Sequence, residues 1–217
     1  NLYMTLASGI TSVTKNIIGK HKIPKYLYHI TPTKNLESIK KNGLRMTEDD
    51  LYGEGVFMFD IANFLKFWTK KDSKNAYANE LLKYIGKHST DISIIKVPTK
   101  NLTTKDLAIR RQDKLFDVVN KYDDVDDIYQ AYSRKEISTK LMDEISEGEQ
   151  AIMANKFDRK KVPLEYIYPS DISAKDIEVI GQTSYDYTKI NIPKIFRNLL
   201  KNCKEAMFLG KVIWNLT

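Results

Sequence analysis

A chain of 217 residues with 42% hydrophobic and 29% charged side chains is long enough for one well-cored domain and too short for two; this composition excludes a disordered, collagenous or coiled-coil chain. Its single cysteine, Cys203, excludes a disulfide scaffold and a multi-cysteine zinc module, and no stretch approaches the about 20 apolar residues of a membrane-spanning helix. Thirty-five basic against 28 acidic residues leave a net charge of +7, which suits a polyanionic partner or an anionic cofactor without requiring either, because the lysines are scattered from Lys15 to Lys211.

Residues 1–22 carry Leu6, Ile10, Val13, Ile17 and Ile18 at helical spacing up to Gly19, an amphipathic segment ahead of a main domain over 23–217. Tyr26 to Ile30 is short, aromatic and β-branched and predicts a strand, with Thr31-Pro32-Thr33 leading through a threonine cap into a helix that carries Leu36 and Ile39 and stops at Asn42-Gly43. Gly53-Glu54-Gly55 then turns the chain into a buried strand, Val56 to Phe59, followed by helices over 61–68 and 76–85. Further strands are expected at 92–97, 150–153, 164–168 and 177–180, and helices at 125–134 and 193–200, the latter opened by its proline. The charged middle, 106–145, is expected to be largely helical, and the whole to be an α+β chain without internal repeats or a linker.

Some motifs carry chemistry-bearing side chains, each with a plain structural reading beside the chemical one. In Tyr28-His29-Ile30-Thr31, a histidine and a hydroxyl two residues apart share one face of a strand and together can grip one polar edge of a ligand; a lone strand histidine is more often simply packed. In Gly53-Glu54-Gly55-Val56-Phe57-Met58-Phe59, the glycines let the backbone approach a flat ligand while a ring supplies a stacking face, or they only make a turn before a core strand. Trp68 is a second aromatic wall or a core residue of its helix. In Glu147-Gly148-Glu149, two carboxylates at i and i+2 before an apolar strand point to one side, where one orients a substrate and the other stabilises developing positive charge; in a surface turn they do neither.

The order of these blocks resembles the ADP-ribosyltransferase superfamily. Tyr28-His29-Ile30-Thr31 with Asn35-Leu36 and Gly43-Leu44 is similar to its opening, most of all in the DNA-modifying toxin branch. Tyr52-Gly53-Glu54-Gly55-Val56-Phe57 is similar to the glycine-x-glycine-apolar-aromatic strand of the poly(ADP-ribose)-polymerase-like branch, and Glu147-Gly148-Glu149 with Val162-Pro163-Leu164 is similar to the Glu-x-Glu turn and the later strand opened by proline. The resemblance covers about half the chain. It implies a split, mixed β-sheet core of two facing sheets with peripheral helices, and NAD as substrate with no metal. His29, with Tyr28 in the same motif, would hold the adenosine ribose, and Thr31 or the backbone near it would fix the nicotinamide amide. Phe57, standing where the family usually has tyrosine, would stack on the nicotinamide, with Trp68 opposite. Glu149 would be the catalytic carboxylate and Glu147 would orient or deprotonate the acceptor.

The activity so implied is mono-ADP-ribosyl transfer, of toxin or effector type, from NAD to a protein, DNA or RNA acceptor, in a cytoplasm, with room for an antitoxin or inhibitor partner. A second reading is an NAD-consuming RNA 2'-phosphotransferase gripping phosphate through Arg110, Arg111 or neighbouring lysines; a third is a basic nucleic-acid-binding or partner-binding module without turnover. The third glycine of a dinucleotide fingerprint, a P-loop and a nucleophile elbow are all missing from the sequence, and its three histidines show no metal-ligand spacing.

Overall fold

A computed structural model describes residues 23–49, 53–67, 77–103, 107–111, 125–140 and 164–203. In chain order the strands are β1 (Tyr26–Pro32), β2 (Thr47–Asp49), β3 (Gly53–Met58), β4 (Asp91–Pro98), β5 (Ala108–Arg111), β6 (Leu164–Tyr168) and β7 (Glu178–Ser184). The helices are α1 (Leu36–Asn42), α2 (Ile61–Phe67), α3 (Tyr77–His88), α4 (Val125–Ser133) and α5 (Ile192–Leu200). None of the described helices is long and apolar enough to cross a membrane.

The strands form two sheets, ordered β1-β4-β7 and β2-β3-β6-β5. The chain is therefore α+β, as its alternation patterns predict. Every ladder among the described residues is antiparallel, where the resemblance implies mixed sheets. A parallel pair needs one crossover that returns the chain in the same direction; here the path from β1 to β4 runs through β2, β3 and three helices and re-enters the first sheet reversed.

Strand alternation sorts the apolar side chains into two cores. On one face of the first sheet, Tyr28, Ile30, Ile92 and Ile94 pack with Phe64 and Leu65 of α2, Leu82 and Ile85 of α3, and Ile195, Phe196 and Leu199 of α5. The rings of Phe59, Phe64 and Phe196 form its centre, with successive centroids 4.4 and 5.0 Å apart. On the other face, Leu27, Ile95 and Val97 meet Val56, Met58, Leu164, Tyr166 and Tyr168 of the second sheet, with Leu36 and Ile39 of α1 closing the layer. Helices, first sheet and second sheet thus lie in sequence, and along β1 Tyr28 and Ile30 enter the first core while Leu27, of opposite parity, enters the second.

Local chemistry explains several boundaries. Helix α5 begins where the Asn191 side chain accepts the Lys194 N–H and Pro193 occupies the first turn. Helix α1 ends at Gly43 in a left-handed conformation, φ +81°, and the next residue, Leu44, makes a two-way main-chain bridge to Ile172. The expected threonine cap is not made: the Thr33 hydroxyl bonds the Ser93 hydroxyl at 2.9 Å, and a 3-10 turn over Thr33–Asn35 carries the chain into α1. The expected helical middle is also corrected at its start, because Ala108–Arg111 is a strand paired with β6. Alanine, isoleucine and two arginines gave no periodicity to distinguish the two; the ladder to β6 decides it.

Candidate functional site: the split between β1 and β3

The two sheets touch along one edge and then part. Tyr28 and Phe59 exchange both main-chain hydrogen bonds at 2.9 Å, forming an isolated antiparallel bridge between β1 and the end of β3. Continued by one repeat, that ladder would pair Ile30 with Phe57. It does not continue. Instead the His29 ring reaches across and its Nδ1–H donates to the Phe57 carbonyl at 2.8 Å, taking the place of the missing main-chain donor.

This bond fixes the state of the histidine. A carbonyl can only accept, so Nδ1 carries the proton and the neutral ring presents Nε2 as an acceptor. Burial lowers the His29 pKa below the ordinary histidine value, and the bond to Phe57 opposes that shift without cancelling it. Nε2 has no hydrogen-bond partner among the described residues. Because the folded pKa is depressed, the stability this residue contributes is present above the ordinary histidine pKa and lost as pH falls through the lower, folded value. The unfolding free energy of the parent chain, read by urea titration, is accordingly expected to fall more between about pH 7 and about pH 5 than that of His29→Leu; equal falls would mean that the ring is not held neutral.

Parting of the strands also opens the main chain of Ile30. In an antiparallel strand the N–H and C=O of one residue point to the same side, and alternate residues share that side. Tyr28 turns both groups toward Phe59, so Ile30 turns both toward the split and away from β4. Neither group has a partner among the described residues, although the Ile30 side chain is buried in the first core. β1 is the edge strand of its sheet, so an open donor and acceptor side by side are what such a residue presents on its outer side; at Ile30 the pair faces the split and is complementary to a primary carboxamide.

Thr31 continues the face that carries His29. It is 4% exposed, and its hydroxyl oxygen accepts from the Asn35 side-chain amide at 3.2 Å. Its cross-strand neighbour Ser93 is fully buried and bonded to Thr33. Ile30, Asn35 and Ser93 were not recognisable as site residues in the sequence: the first acts through its main chain, and the others are placed by the 3-10 turn and by the register of β4.

The other predicted residues fall out differently. Phe57 is half-buried and lies opposite Ile167 in the β3-β6 ladder, with its carbonyl at the split. The reading of Gly55 as a place for a ligand is corrected: a Cβ there would lie 2.4 Å from Cγ2 of Ile167, so the glycine makes room for its own sheet. Tyr28 is 5% exposed, turned away from His29 and Thr31, its ring 6.4 Å from that of Phe59 in the first core; its main chain makes the bridge beyond which the strands part. Trp68, Glu147 and Glu149, like the expected strand at 150–153 and the segment 1–22, lie outside the described residues. Among the described residues no three histidine, cysteine, aspartate or glutamate side chains gather as a metal site. The chain matches no protein-family model, no curated protein and no solved structure at a significant level.

Proposed function

We propose that this chain is an NAD-dependent mono-ADP-ribosyltransferase of toxin or effector type, with an ADP-ribosyltransferase-like split-sheet fold, which moves ADP-ribose from NAD to a protein or nucleic-acid acceptor and releases nicotinamide. The observation that carries this reading is the open N–H and C=O of Ile30 beside a neutral His29 in the split between β1 and β3. The Ile30 N–H donates to the carboxamide oxygen of nicotinamide while its C=O accepts a carboxamide N–H, so the ring is held by two bonds that an acid or ester group does not reproduce. Nε2 of His29 accepts from a hydroxyl of the adenosine ribose, and Phe57 flanks the pyridinium ring.

The reaction follows from that pose. The bond between the ribose C1′ and the pyridinium nitrogen breaks, its electron pair neutralises the ring, and nicotinamide leaves. Positive charge then builds on the ribose ring, where the Glu149 carboxylate stabilises it, and an oxygen or nitrogen of the acceptor bonds to C1′ as Glu147 takes its proton. Both glutamate roles rest on the sequence resemblance.

The test uses ligands smaller than NAD. Calorimetry is expected to show benzamide binding at least about tenfold more tightly than benzoate, because a carboxylate offers no N–H to the Ile30 carbonyl and leaves it unpaired. Equal affinities, or no binding of benzamide, would remove the basis for the reading.

A further inference from the structure

We infer that Asn35 is a positioning residue that sets the polarity of Thr31, turning its buried hydroxyl into a donor toward the ligand hydroxyl that His29 accepts. The inference rests on the NAD-site reading above and deepens it. A hydroxyl has one proton to give and lone pairs to receive with. The Asn35 Nδ2 donates to the Thr31 oxygen at 3.2 Å, so that oxygen is already an acceptor and its own proton is left to be given away. No acceptor for that proton exists among the described residues, although Thr31 is only 4% exposed. An unspent donor at such burial is costly without a partner.

His29 stands two residues back on the same face, with the opposite need: an Nε2 lone pair and no donor among the described residues. One ribose hydroxyl satisfies both, donating its proton to Nε2 and accepting from Thr31. The neighbouring pair, Thr33 and Ser93, is bonded to itself at 2.9 Å and so does not compete for the Thr31 proton. Asn35 is exposed and begins the α1 turn without making a side-chain cap, so its amide serves Thr31 and not the helix.

The experiment is a double-mutant cycle on NAD cleavage by the full chain, with Asn35→Leu, Thr31→Val, their combination, and Thr31→Ser as the conservative control. Each of Asn35→Leu and Thr31→Val is expected to raise KM for NAD about tenfold with kcat within about twofold, since the grip is on a part of the substrate remote from the bond that breaks. The combination is expected to be no worse than Thr31→Val alone, because without the hydroxyl the amide has nothing to orient. Thr31→Ser is expected to stay near the parent. Thermal midpoints of all variants separate binding from folding. Additive losses, an unchanged KM in Asn35→Leu, or equal falls in kcat and KM effects would overturn the positioning role while leaving NAD as substrate; absence of NAD cleavage by the parent would overturn the functional reading and this role with it.

Discussion

Gly43→Ala is expected to destabilise the fold by roughly 3–5 kcal/mol, a large fraction of the about 5–15 kcal/mol by which a typical domain is stable, and to lower the unfolding midpoint accordingly. Two independent costs add at this position. Gly43 stands at φ +81°, where a side chain is strained, and a Cβ built there would lie 2.0 Å from the Ile172 carbonyl oxygen, 2.8 Å from the Ala174 nitrogen and 2.9 Å from the Ser173 carbonyl carbon. These are main-chain atoms and cannot step aside as a side chain would. They are also held: Leu44 and Ile172 exchange main-chain bonds at 2.9 and 2.8 Å, and the Leu44 and Ile172 side chains both enter the second core. Relief would require giving up the bridge that ties α1 to the segment before β7. Denaturant unfolding of parent and variant measures the difference, and a loss below about 1 kcal/mol would mean that the close approach is not a feature of the folded chain.

On activity the largest effect is expected at Glu149. If the cleaved bond is that between ribose and nicotinamide, positive charge spreads over C1′ and the ring oxygen as the bond breaks, and a carboxylate at that ribose lowers the barrier by more than it strengthens ground-state binding. Glu149→Ala is therefore expected to lower the rate of nicotinamide release at least about a hundredfold, roughly 3 kcal/mol, with the unfolding midpoint unchanged. Glu149→Gln keeps the shape and loses the charge, so it is expected to fall nearly as far. A glutamine variant close to the parent would assign the residue to shape or hydrogen bonding and not to charge.

The strands of the core were legible wherever alternation or a short β-branched run was strong. Ile92 to Val97 and Tyr26 to Ile30 became β4 and β1 with small shifts at the ends, and the Asn-Gly stop after α1 was found because glycine is the residue that a left-handed terminus selects. Two strands were missed. β2 has three residues, below any periodicity, and β5 carries two adjacent arginines on a strand that only its ladder to β6 defines.

Of the candidate site, the shared face of His29 and Thr31 was legible and the main chain beside it was not. His29 and Thr31 share a face, as two residues of strand spacing must, and the histidine meets the strand of Phe57 that a separate motif had singled out. What the residue types do not encode is that β1 and β3 part after one bridge. That parting is a long-range event, set by the register of Tyr28 against Phe59, and it creates the open N–H and C=O on a residue whose own side chain is ordinary core. Gly55 misled for the related reason that a glycine marks a close approach without saying whether a ligand or a neighbouring strand approaches.

The most direct measurement is nicotinamide release from NAD by the purified parent chain and by Glu149→Ala, alone and with added protein extract, DNA or RNA. Release by the parent that falls at least about a hundredfold in the variant, with label from NAD appearing on one of the additions, is the predicted result. No release by the parent under any of these conditions would contradict the assignment of NAD as substrate and leave the split between β1 and β3 as a binding site of another kind.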